Sequence, residues 1–78
     1  MKAIYSKRIY DTRKAEKILD FGDMTLYRTK NGRWFLTDAF GVQPCLYPVE
    51  PERAAVYVGM YAAERYGEFF PMSELEEA

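Results

Sequence analysis

Asn31-Gly32 sits between two β-prone runs, Thr25-Leu26-Tyr27-Arg28-Thr29-Lys30 and Arg33-Trp34-Phe35-Leu36-Thr37-Asp38, and nothing else in the chain limits its fold so tightly. An Asn-Gly pair flanked by strands predicts a two-residue type I′ hairpin, because both central residues of that turn need positive φ. Such a turn fixes the register. Lys30 then faces Arg33, Thr29 faces Trp34, Arg28 faces Phe35 and Tyr27 faces Leu36. Side chains alternate along a strand, so Tyr27, Thr29, Trp34 and Leu36 would form the core face, and Leu26, Arg28, Lys30, Arg33 and Phe35 the other.

Upstream, Ala3 to Tyr5 and Ile9 to Tyr10 flank Ser6-Lys7-Arg8 and read as a small first hairpin. Asp11 and Thr12 can cap a helix, and Ala15, Ile18 and Leu19 recur at helical spacing, which predicts a short helix over 13–19 ended by Gly22. Downstream, Cys45-Leu46-Tyr47 reads as an edge strand confined by Pro44 and Pro48. A helix then starts at Pro51, with Glu50 and Glu52 at its positive end, and runs to Tyr66 before Gly67. Helical periodicity gathers Ala55, Val58, Gly59, Ala62 and Tyr66 on one face, and Arg53, Tyr57, Met60 and Glu64 on the opposite one.

The expected architecture is a single α+β domain over 1–72. A small antiparallel sheet of three to four strands, with the Asn-Gly hairpin and a short N-terminal helix, packs its Trp34 face against one long C-terminal helix. Residues 73–78 form an acidic tail; Ser73 and Glu76 have capping-box spacing, but so short a segment should fray.

At 78 residues there is room for one core only, and domains of this size often add a disulfide, a metal or a partner subunit. Cys45 is the single cysteine, which rules out an intramolecular disulfide and suits a reducing compartment. With no histidine, a zinc site lacks ligands, and no metal or other cofactor is expected. A homodimer, or a partner that completes the core, is the remaining source of stability. Lys2, Lys7 and Arg8 interrupt the N-terminus before any apolar run forms, and the apolar run Ala54 to Ala63 is far short of the ~20 residues that span a bilayer, so the expected location is the cytoplasm.

Charge is sorted along the chain. Residues 1–33 carry nine Lys/Arg against four acids, net +5, whereas residues 34–78 carry two against eight, net −6. A formal net charge of −1 thus hides a dipole able to steer association with charged macromolecules. Catalysis is not expected. The usual base near neutral pH is missing, Ser6 and Ser73 have no base beside them in sequence, and Cys45 lies in an apolar Pro-Cys-Leu-Tyr setting that reads as a buried structural thiol. Asp20-Phe21-Gly22 matches the kinase metal-binding tripeptide, but the surrounding kinase parts cannot fit in this length.

Two surfaces are candidates for binding. Arg53, Tyr57, Met60 and Glu64 of the outer face of the C-terminal helix, with Glu68 just beyond it in the acidic half, would form a partner-binding surface that includes residue types favoured at protein interfaces. Arg28, Lys30, Arg33 and Phe35 would form a basic sheet face with one aromatic, suited to single-stranded nucleic acid; the competing structural reading tucks Phe35 beneath the first hairpin.

Three segments carry a resemblance: Arg8-Ile9-Tyr10-Asp11-Thr12 followed by Ala15, then Leu26 to Leu36, then Pro48-Val49-Glu50-Pro51-Glu52-Arg53-Ala54. Together they cover about half the chain, which resembles a loose group of short uncharacterised proteins of bacterial genomes and mobile elements. That group usually has Ser or Asp where this chain has Glu50, which weakens the expected helix cap. In type alone, the chain also resembles the small proteins by which phages disable host defence, anti-CRISPR proteins among them. The resulting expectation is a non-enzymatic phage or mobile-element inhibitor or modulator whose acidic half meets a basic, nucleic-acid-handling host complex. The alternative is a small nucleic-acid-binding accessory protein that uses the basic hairpin face. A structural subunit or dimeric module with no activity alone is the third.

Overall fold

In the computed structural model, which describes residues 1–78, two antiparallel sheets and a short helical segment build an α+β fold. Strands β1 (Lys2–Tyr5) and β2 (Arg8–Asp11) form a hairpin by themselves. Strands β3 (Glu16–Phe21), β4 (Met24–Arg28), β5 (Trp34–Asp38) and β6 (Cys45–Val49) form a four-stranded meander in sequence order. Helix α1 (Pro51–Tyr61) and the single turn α2 (Tyr66–Phe69) follow.

Several expectations change. The predicted helix over 13–19 is absent. Asp11 does cap, with its carboxylate accepting from the Arg13 N–H at 2.9 Å, but only a 3-10 turn over Thr12–Lys14 follows. The chain then enters β3. A bulge between Lys17 and Leu19 turns the neighbours Ile18 and Leu19 to one side of the sheet, where both are buried. The same adjacent apolar pair had supported the helical reading.

The turn at Asn31-Gly32 also differs. Arg28 pairs with Trp34, Tyr27 with Phe35 and Leu26 with Leu36, one residue out of the expected register. The Thr29 N–H donates to the Arg33 carbonyl at 2.7 Å and the Gly32 N–H to the Thr29 carbonyl at 2.9 Å. Lys30, Asn31 and Gly32 therefore form a three-residue loop in which only Gly32 (φ +81°) is left-handed. Two consecutive left-handed residues occur instead at Ser6 (φ +51°) and Lys7 (φ +63°), between the paired Tyr5 and Arg8.

The shifted register sorts the side chains. Leu26, Arg28, Trp34 and Leu36 face the helix, and Tyr27 and Phe35 face the first hairpin. The principal core joins Ile18, Leu19, Leu26, Trp34 and Leu36 to Ala54 and Val58 of α1. Behind the sheet, Phe35 is completely buried between Tyr10 and Tyr27, with ring centroids 5.6 and 5.0 Å away. The hairpin is tied down there by the Tyr5 hydroxyl, which donates to the Leu46 carbonyl.

The C-terminal helix is broken rather than continuous to Tyr66. α1 ends where Ala62 leaves helical geometry (φ −147°, ψ 50°), and a 3-10 turn over Ala63–Arg65 leads into α2. The break lets Phe69 and Phe70 fold back onto the Trp34 indole at 5.3 and 5.4 Å. β6 is an edge strand, as suits Pro48 within it and Pro44 just before it. Cys45 is exposed rather than buried, because it begins the edge strand at the end of the sheet, paired with Asp38. No helix is long and apolar enough to cross a membrane.

Candidate functional site

Of the residues expected on the outer helix face, only Arg53 and Met60 are exposed on α1. Tyr57 is half-buried. Its ring lies 4.8 Å from Phe21, and its hydroxyl accepts from Arg53 Nε at 2.9 Å. That hydrogen bond holds the Arg53 guanidinium charged still more firmly than usual. The expected face omitted Val56 and Tyr61, which are 55% and 54% exposed beside Met60 at 66%. Val56 and Met60 are four residues apart, one above the other on the helix surface, and Tyr61 stacks on Phe21 at 5.0 Å. Measured from the true core face at Ala54 and Val58, the side opposite holds Val56 and Met60; measured from Ala55 and Gly59, it shifts to Tyr57.

Glu64 and Glu68 do not continue that face, because the chain has left α1 before reaching them. Glu68 is taken up by Arg65, which donates to both of its carboxylate oxygens at 3.0 and 3.1 Å and pairs with Glu16 at 3.4 Å. The Arg65 hydrogen bond lowers the Glu68 pKa from the usual carboxylate range. Arg65 thus links the acidic C-terminal half to β3 of the basic half.

The expected basic sheet face is not one surface. Phe35, fully buried under the hairpin, has no ring face free for a base. Arg28 lies on the opposite side of the sheet, over the rings of Trp34 and Phe69 at 5.6 Å each, with its Nε buried and without an acceptor. Lys30 and Arg33 stand exposed on the β4–β5 loop.

What the structure does gather around that loop is a set of clefts. The largest, about 510 Å³, lies between β2, the loop, β6 and the start of α1, and Arg8, Arg33, Arg53 and Glu50 supply its charged groups. Its walls include Tyr47, whose phenol is pushed above its ordinary pKa by burial. A second, of about 450 Å³, has Arg13, Lys14, Arg28 and Lys30 around it, with Glu16 the one acid. A third, of about 220 Å³, shares Arg8 and Arg33 with the first and Thr29 with the second. Arg8, Arg13 and Lys14 were not singled out from the sequence, where they sit in a different segment from Lys30 and Arg33; the net +5 of residues 1–33 was the available signal. No cluster of His, Cys, Asp or Glu is arranged to hold a metal ion.

No protein-family model matches the chain, and no curated protein and no solved structure matches it either.

Proposed function

We infer that this protein is a non-enzymatic binding protein that acts in the cytoplasm as a phage or mobile-element inhibitor or modulator of a host nucleic-acid-handling complex, through contact with a protein. The observation that carries the reading is the exposed apolar pair Val56 and Met60 on one face of α1, a helix whose opposite face is already committed to the core. Exposed apolar groups on the free face of a packed helix suit the desolvated centre of an interface. Glu52 on the first turn is an exposed carboxylate near the pair, which suits a groove lined by Lys and Arg. Arg53, held by Tyr57, adds a fixed guanidinium to the rim.

The test is co-purification of the tagged protein with host nucleic-acid-handling complexes, comparing the wild type with Val56→Ser/Met60→Gln. The wild type should retain a defined complex and inhibit its activity, and the double variant should do neither while melting at the wild-type temperature. Retention by both proteins would remove α1 from the interface.

A further inference from the structure

Seven cations and two carboxylates line the three connected clefts around the β4–β5 loop, in a protein whose formal net charge is −1. Glu16 is already paired with Arg65, and Glu50 makes no ion pair. Arg8, Arg33 and Lys30 have no carboxylate within ion-pair distance, and Arg28 has no acceptor at all for its buried Nε. Folding alone does not call for this arrangement. Arg8, Lys14, Lys30 and Arg33 are exposed, and like charges brought together without counterions repel.

We propose that the three clefts form a binding track for the phosphate backbone of single-stranded nucleic acid, which crosses the β4–β5 loop from Arg53 and Arg8, past Arg33, to Lys30 and Lys14. One isolated phosphate would occupy a single cleft. Cations on both sides of one loop, with Arg8 and Arg33 shared between adjoining clefts, match a ligand that repeats its charge. Guanidinium groups supply the planar donors that phosphate oxygens accept in pairs. The first cleft opens at the N-terminal end of α1, where no side chain caps the helix and the helix dipole favours a negative group. Its wall of Tyr47, Pro48 and Val49 offers apolar contact to unpaired bases, which a duplex would hide. The track is a different surface from the Val56–Met60 stripe, with Arg53 at their boundary.

Fluorescence anisotropy with a labelled oligothymidylate tests this, alongside the corresponding duplex and AMP as competitors. The strand should bind at low salt, and each phosphate contact should add about 0.7 to the slope of log affinity against log salt. Arg8→Gln/Arg33→Gln keeps the aliphatic stems but removes two contacts; it should weaken binding about tenfold or more and flatten the slope by roughly 1.4. Lys2→Gln/Lys17→Gln removes the same charge away from the clefts and should change affinity less than threefold, on the order of a screened surface effect. No binding at low salt, equal loss in both double variants, preference for duplex, or AMP competing as well as the strand would each overturn the proposal. The strand assay is independent of the co-purification test, so either reading can fail alone.

Discussion

Arg28 and Trp34 are cross-strand partners on β4 and β5, and the guanidinium of the first sits 5.6 Å from the ring centroid of the second. The pair depends on the three-residue loop: in the register of a two-residue turn, Arg28 would oppose Phe35 instead. It places a cation between Trp34 and Phe69, and so connects the sheet to the chain beyond the α1 break. Trp34 itself is 4% exposed.

Trp34→Ala should therefore leave the domain unfolded. Truncating a buried Trp costs about 3 to 5 kcal/mol, comparable with the whole stability of a core this small. Phe69 and Phe70 would lose the ring they pack against as well. Far-UV circular dichroism and the native emission spectrum check it: a cooperative melt in the variant, or wild-type emission near that of free tryptophan, would contradict the buried position.

Gly32 and Gly59 should respond in opposite directions. Gly32 has φ +81°, and an added Cβ would meet Arg28 Nη2 at 3.4 Å, so Gly32→Ala should destabilise by about 1 kcal/mol. Gly59 is interior to α1, and a Cβ there would make ordinary contact with the Tyr66 ring at 3.9 Å, so Gly59→Ala should stabilise by about 0.5–1 kcal/mol. Urea titration of both variants reads the difference. Two shifts of the same sign would mean that the loop or the helix is misplaced.

Ser6 and Lys7 carry the two left-handed residues of the first hairpin without glycine's freedom. Each non-glycine residue there costs on the order of 1 kcal/mol. Ser6→Asn/Lys7→Gly supplies the preferred type I′ pair and should raise the melting temperature by several degrees, about 4–8 °C per kcal/mol gained. An unchanged or lower melting temperature would refute the turn.

Several of these features explain what could be read from sequence and what could not. The two strands either side of Asn31-Gly32, the first hairpin and the Pro51 helix start were legible because each rests on a few neighbouring residues; of the expected core face, Trp34 and Leu36 hold their side and Tyr27 packs on the other. The one-residue register slip was not, since Asn31-Gly32 serves a type I′ turn and a three-residue loop ending in left-handed Gly32 equally well. Ile18-Leu19 misled for a similar reason, because a bulge makes an adjacent apolar pair face one way just as part of a helical stripe can. The clefts were illegible because they join Arg8, Arg33 and Arg53 across long stretches of sequence.

Acid should weaken the fold through three carboxylates. Asp11 is held below its ordinary pKa by the Arg13 backbone N–H, Asp20 by the Thr25 hydroxyl and then Lys17, and Glu68 by Arg65. A depressed folded-state pKa stabilises fully above the unfolded value, near 3.8 for Asp and 4.5 for Glu, and that stabilisation disappears as pH falls through the folded value. Asp11→Ala should then be destabilised relative to wild type at pH 7, with the gap closing as pH falls below the unfolded value near 3.8 and through the lowered folded one. A gap that persisted in acid would assign the loss to the alanine itself rather than to the charge.

Val56 and Met60 separate binding from stability. Both are more than half exposed, so Val56→Ser/Met60→Gln removes apolar surface that the monomer does not bury and should change stability by no more than about 0.5 kcal/mol. In an interface the same atoms would be desolvated, and truncating central apolar contacts there commonly costs 2 kcal/mol or more, roughly thirtyfold in affinity. Glu68→Lys behaves differently. It opposes Arg65, the residue that ties α2 to β3, so it should lower the melting temperature even if it touches no partner. Loss of partner binding in the Val56/Met60 variant at constant stability places the contact on α1. Full binding there, with loss only in the Arg8/Arg33 variant, would leave the clefts as the one functional surface.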